Sequence, residues 1–144
     1  MTRPSSNALQ MDASALNAFL RGAFPEGPAD RIAKVIAVSP GQARLQLIPD
    51  SGNMRPGGIV SGPTLMGLAD IAAYALVLAH IGPVAMAVTS SLAFQFLRAC
   101  EPVAITADAR LLRLGRRLVV SDVQIWTISP DRPVAQASVT YALP

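Results

Sequence analysis

The feature that most constrains this chain is an apolar run from residue 63 to 79, broken only by Asp70 near its middle. Asp70 is also the only formal charge between Arg55 and Arg98. The run is slightly shorter than the about 20 residues a helix needs to cross a bilayer, and a carboxylate at a bilayer centre is costly. A helix that is apolar on every side equally suits enclosure by a sheet. The sequence therefore predicts a buried core helix, with no membrane as partner. Pro63 fits the first helical position, where its missing N–H would have no intrahelical partner, and Gly62 or Ser61 can serve as cap. Gly82-Pro83 stops the helix just after His80, because Gly can take a left-handed C-terminal conformation and Pro cannot continue the ladder.

The flanking segments supply strands. Residues 1–10 read as a disordered tail, and 11–21 as a short amphipathic helix capped by Asp12 or Ser14. Residues 32–38 and 43–48 flank Ser39-Pro40-Gly41-Gln42 and read as a hairpin, while 49–62 concentrates turn-formers and reads as a loop. After Pro83 the period changes to two. Val84, Met86, Val88, Leu92, Phe94 and Phe96 fall on one face, with Thr89, Ser91 and Gln95 on the other. Val103, Ile105, Ala107, Ala109 and Leu111 alternate with Thr106, Asp108 and Arg110; Gly115 turns the chain into 118–128, and Ala135, Ala137, Val139 and Tyr141 form a last inward row. Four consecutive strands with short connections predict a meander. The expected fold is α+β: an antiparallel sheet wrapped around one long central helix, with residues 11–144 as a single domain. Hydrophobic residues make up 51% of the 144 but aromatics only 5%, so the core is built mainly from Ala, Val, Leu and Ile.

Composition excludes several classes. The single Cys100 cannot form an intramolecular disulfide, and the N-terminus lacks the basic-then-apolar order of a secretory signal, so a cytoplasmic location is expected. The formal charge is +3 with charged residues at 15%, and the pI is near 9.8. Aromatics are too scarce to interleave with basic residues as in single-strand binders, so nucleic acid is not the expected partner. An anionic small molecule fits the mild excess better.

Two features can carry chemistry. Burying a carboxylate such as Asp70 costs roughly several kcal/mol unless it is well paired. It is either a structural Asp satisfied by backbone or hydroxyl donors, or a general base or nucleophile beside a pocket. The second feature is Gly57-Gly58-Ile59-Val60-Ser61-Gly62-Pro63, where glycines precede a helix start. Such a terminus stabilises anions, including an oxyanion developing on an attacked carbonyl; the plain alternative is a glycine turn and a cap. Gly62 and Asp70 lie about 12 Å apart along one helix. They can act on one carbonyl only if Asp70 of one subunit faces the helix start of another, which implies a symmetric dimer with composite sites.

The segment from Arg55 through Pro56, Gly57, Gly58, Ser61 and Gly62, followed by Leu68-Ala69-Asp70, resembles the N-P-x-G-x-x-H-G-G and L-x-D stretch of the phenylacetic-acid-degradation type of hotdog thioesterases. Phe96-Leu97-Arg98 and Arg113-Leu114-Gly115-Arg116-Arg117 resemble the same family, over about residues 30–142. The resemblance implies a hotdog fold and hydrolysis of an acyl-CoA thioester. It matches Asp70 to the catalytic acid and Gly62 to the oxyanion-hole donor, and it sets Thr89 near a hydroxyl that positions water, with Ser90 and Ser91 as rivals. Two positions depart: Ser61 stands where the family usually has His, and Arg55 where it often has Asn. Ser61 can cap the helix but offers no imidazole. As a nucleophile it lacks a base, because the only histidine, His80, lies far along the same helix, where it neighbours the C-terminal dipole. Arg55, Gly58, Ser91, Arg116 and Arg117 are the candidate substrate contacts; Arg110, Arg113, Arg116 and Arg117 cluster around the Gly115 turn, where they can meet coenzyme A phosphates, with solvated hairpin charges as the alternative. No metal and no cofactor beyond the CoA of the substrate are expected. A homodimer or a dimer of dimers is the expected assembly. A non-catalytic acyl-thioester-binding or assembly module is the alternative, and a dehydratase is less well served because His80 is badly placed.

Overall fold

The computed structural model of the chain describes residues 8–24 and 33–144. Its elements are helix α1 (Ala13–Ala23), strands β1 (Lys34–Ser39), β2 (Gln42–Leu47), β3 (Met54–Arg55) and β4 (Ile59–Val60), helix α2 (Gly62–Ile81), then β5 (Val88–Phe96), β6 (Ile105–Leu114), β7 (Leu118–Trp126) and β8 (Ala135–Ala142). Residues 1–7 of the expected tail and Ile32 of the first expected strand lie outside the described residues. The described end of that tail, Gln10 and Met11, donates both backbone N–H groups to Ala79 O.

Local chemistry sets the helix ends. Asp12 caps α1, its side chain accepting from Ala15 N–H at 2.9 Å. Ser61 caps α2, and Gly82 stops it at φ +91°, with its N–H on Leu78 O at 2.9 Å. Within α2, Leu65, Leu68 and Ala69 and every residue from Ala72 to His80 are buried. The sheet curves around this helix in the order β1-β2-β6-β7-β8-β5, all pairings antiparallel. Its inner row, including Ala43, Leu45, Ala107, Ala109, Val123, Ala135, Ala137 and Val139, is buried against α2. Alanines on both surfaces let helix and sheet approach closely, so the core closes with few large side chains.

Two expectations about the sheet are corrected. β6, β7 and β8 form the meander, but β5 pairs with β8 at the far edge instead of with β6. The connection from 97 to 104 is long enough to cross the end of the sheet, where Leu97 and Arg98 donate backbone N–H groups to Val134 O and Cys100 O accepts from Val60 N–H. The strand after α2 also begins at Val88 and not at Val84. Residues 84–87 turn, with Ala87 N–H on Val84 O at 3.1 Å, because the chain must first travel from the helix end to the sheet edge.

His80 does more than neighbour the helix dipole. It is 6% exposed. Its Nε2 accepts Gly41 N–H at 2.9 Å, so the ring proton sits on Nδ1, 2.8 Å from Leu76 O. The imidazole thereby ties the β1–β2 turn to the end of α2. His80→Leu, which fills the space but leaves Gly41 N–H without this acceptor, is expected to destabilise the protein by about 1–3 kcal/mol. Urea unfolding checks this; an unchanged midpoint would contradict the assigned role.

Candidate active site

Asp70 sits in the first half of α2, half-buried rather than sealed. Its Oδ1 accepts from Thr89 Oγ1 at 2.6 Å and from Tyr141 OH at 2.8 Å, and Tyr141 OH is also 3.1 Å from Asp70 O. No described group donates to Oδ2, and no buried side-chain oxygen lacks a partner, so Oδ2 reaches the surface. One oxygen is thus held by two hydroxyls while the other stays open.

The placement of Thr89 depends on a bulge. Across β5 and β8, Thr89 faces Tyr141 and Leu92 faces Val139, with the register shifting between Thr89 and Ser91. Cross-strand partners share a face, so one extra residue moves Thr89 to the helix side, together with Leu92, Phe94 and Phe96. Strict alternation assigns Thr89 to the opposite face, and the bulge corrects that expectation. Ser91, opposite Thr140, lies on the face away from Asp70, and Ser90 Oγ donates to Thr140 O.

Tyr141, which sequence reasoning counts only as core, is a direct hydrogen-bond partner of Asp70. A hydroxyl on an otherwise aliphatic inner row needs a buried partner, and α2 offers few polar groups besides Asp70; that is the available signal. Its ring stacks on Tyr74 with centroids 5.7 Å apart, and Tyr74 meets the ring edge of Phe24 at 6.4 Å. Tyr74 OH donates to Ala85 O at 3.0 Å. Burial pushes the Tyr141 phenol well above its ordinary value; the Thr89 hydroxyl opposes this and the Asp70 charge adds to it. Burial raises Tyr74 as well. Tyr141 therefore remains a proton-bearing donor at any working pH.

The helix start forms a second locus. Gly57 and Gly58 have φ of +101° and +73°, the left-handed region that favours glycine, and make the turn between β3 and β4. Ser61 Oγ accepts Thr64 N–H at 3.3 Å and shares a 2.8 Å hydrogen bond with Thr64 Oγ1. That hydroxyl is committed to capping. Gly62 N–H, in the first turn, has no partner among the described residues. Gly62 lines a cavity of about 490 Å³ with Arg55, Phe96 and Arg98. A Cβ on Gly62 would lie 3.3 Å from the Phe96 ring.

The two loci occupy opposite ends of β5, Thr89 by Asp70 and Phe96 by Gly62, so one chain does not bring them together. Arg116 and Arg117 lie in the β6–β7 turn at the Asp70 end, where Arg117 O accepts Leu143 N–H, two residues beyond Tyr141. Arg110 and Arg113, opposite Asp122 and Val120, lie on the outer face of the sheet. A concavity of about 400 Å³ on that face involves Arg44, Asp108 and Trp126 and none of the groups around Asp70. There Arg44 pairs with Asp108 at 2.6 Å and Trp126 Nε1 donates to Asp108 at 2.8 Å. Cys100 is buried, and burial, then the Glu101 charge, push its thiol up to about 11, which removes it as a nucleophile.

The model of the thioesterase superfamily matches residues 57–140, which take in the helix start, Asp70, β5 to β7 and β8 as far as Thr140. The chain belongs to the thioesterase superfamily. A candidate thioesterase from a Silicibacter species is 37% identical, covering 97% of this chain and 96% of that one, with a TM-score of 0.87. This superfamily member also shares its hotdog fold with a mutant of the phenylacetic acid degradation protein PaaI from Thermus thermophilus, at 22% identity, coverage of 78% and 93%, and a TM-score of 0.69. A Streptococcus mutans protein, solved bound to acetyl-CoA, matches at 18% identity, coverage of 78% and 89%, and a TM-score of 0.69. No curated protein matches the chain significantly.

The raised phenols yield a pH prediction. Groups with elevated folded values contribute stability that is complete below the unfolded value of about 10 and is lost as pH rises through the folded one. The chain has two tyrosines. Ultraviolet titration is expected to show both phenolate steps above the ordinary value of about 10, with Tyr141 ionising last and together with loss of circular dichroism. A full step at the ordinary value with structure intact would contradict this.

Proposed function

We propose that this superfamily member hydrolyses an acyl-CoA thioester to a carboxylic acid and free CoA, with Asp70 as its catalytic carboxylate. The observation that carries the reading is the asymmetric holding of Asp70: Oδ1 fixed by Thr89 and Tyr141, Oδ2 open. In the general-base route, Oδ2 takes a proton from water as the water oxygen bonds to the thioester carbon. The carbonyl electron pair moves onto its oxygen, facing the N–H of Gly62 at a helix start. When the carbonyl re-forms, the C–S bond breaks and its electron pair leaves on sulfur. A thiol of pKa about 8.5 is a fair leaving group, so no strong general acid is needed; the proton held by Asp70 balances the products. In the alternative route Oδ2 attacks the carbon itself, and water then opens the resulting anhydride.

The site is completed by a second copy of the chain. β5 is an edge strand whose outer ladder is unpaired, and Val88 and Phe96 at its two ends are 52% and 56% exposed. A two-fold pairing of this edge with itself, centred near Leu92 and Ala93, sets the Phe96 end of one copy beside the Thr89 end of the other. Gly62, Arg55 and Arg98 of one copy then face Asp70 of the second, while Arg116 and Arg117 are placed to receive phosphate groups of CoA. The Streptococcus mutans relative holds acetyl-CoA, which supports CoA as the carrier. A non-catalytic acyl-thioester binder is the second reading, favoured by Ser61, whose hydroxyl is engaged in capping where the family usually has His.

Asp70→Asn keeps an acceptor for Thr89 and Tyr141, so the melting temperature is expected to hold. Turnover of acyl-CoAs, read by thiol release, is expected to fall by about 10²–10⁴-fold. Wild type that binds acyl-CoA without releasing thiol would favour the second reading. A subunit-mixing experiment tests the composite site: Asp70→Asn and Gly62→Val chains, each inactive alone, are expected to regain activity when mixed and allowed to exchange. No recovery in verified heterodimers would place both groups in one chain's own site.

A further inference from the structure

α2 contains a glycine that neither a turn nor close packing requires. Gly67 lies inside the helix, is not among the positive-φ glycines, and a Cβ built on it meets no atom within 4 Å. Glycine is among the poorest residues for a helix interior, so alanine there would be the better helix former. What glycine leaves at this position is space. Gly67 lines a cleft of about 280 Å³ with Phe24, Leu47, Pro63, Leu68 and Ile71, an apolar surface closed toward the helix start by Thr64 and Asn53.

This cleft borders the reacting carboxylate. Gly67 precedes Asp70 by three residues, so on a helix the two positions are about 60° apart around the axis and less than a turn apart along it. Phe24, which walls the cleft, contacts Tyr74; Tyr74 stacks on Tyr141; and the Tyr141 hydroxyl holds Asp70 Oδ1. The cleft wall and the carboxylate are therefore joined through one aromatic chain.

We propose that this cleft receives the acyl group of the thioester and that glycine at position 67 sets the bulk it admits, an inference that rests on the thioesterase reading above. An apolar cavity of about 150 Å³ holds benzene, so this volume suits one aromatic ring with its linker or a chain of about six to eight carbons. The substrate class is a compact apolar acyl-CoA. Acetyl-CoA would leave most of the cleft unfilled.

The test compares wild type, Gly67→Ala and Gly67→Leu on acetyl-, phenylacetyl- and octanoyl-CoA, with melting temperature and oligomeric state recorded for each. Gly67→Ala is expected to raise the melting temperature by about 3 °C. Gly67→Leu is expected to lower kcat/KM for phenylacetyl- and octanoyl-CoA at least tenfold more than for acetyl-CoA, chiefly through KM. An equal fall for all three substrates, with or without loss of the dimer, would overturn the cleft assignment and leave the thioesterase reading standing. If wild type hydrolyses none of them, the thioesterase reading falls and calorimetric binding of octanoyl-CoA decides the cleft: tenfold weaker binding by Gly67→Leu supports it, and equal binding overturns it.

Discussion

Everything in this structure depends on enclosing a helix that has no polar side. α2 cannot rest on a flat surface and leave one face in water, because its apolar residues point in all directions from Ala72 onward. Six antiparallel strands curl around it, and their inner row uses alanine and valine where the helix comes nearest. Small residues on both surfaces replace the large interlocking side chains of a layered α/β core, which explains how so few aromatics suffice. α1 and the β1–β2 hairpin close the remaining side, the first through Leu16 and Leu20, the second through the His80 bridge to Gly41.

Asp70 is the exception that this enclosure makes informative. The first half of α2 is the part the sheet leaves uncovered, with Met66 and Gly67 exposed and Asp70 half-buried. A carboxylate at that border escapes full desolvation while still receiving two short hydroxyl hydrogen bonds. Thr89 and Tyr141 satisfy one oxygen and orient the other, a division of labour that a purely structural aspartate does not require. The exposed edge of β5 runs alongside, so the uncovered helix face, the open carboxylate oxygen and the unpaired strand all belong to one surface.

Much of this was legible in the residues. The apolar run, its proline start and its Gly82-Pro83 stop predict α2 to within a residue or two at each end, because helix ends are governed by local donors and acceptors. The inward rows of β6, β7 and β8 follow from their alternation. Asp70 stands out by charge alone. Less was legible about β5, whose alternation reads as one continuous strand from Val84. The bulge between Thr89 and Ser91 reverses which side chains face the helix, and one extra residue leaves no trace in composition.

The sequence by itself determined the long elements, though not the short β3 and β4 inside the expected loop, and it determined the buried helix and the identity of the one charge within it, since these follow from periodicity and from the cost of placing a carboxylate among apolar neighbours. Only the tertiary structure decided that β5 lies beside β8, that Thr89 turns inward, and that Tyr141 meets Asp70 across a separation of 71 residues. Those outcomes depend on register and on the path of the connection from 97 to 104. Both are set by how the whole sheet closes around the helix, and no local run of residues encodes that closure.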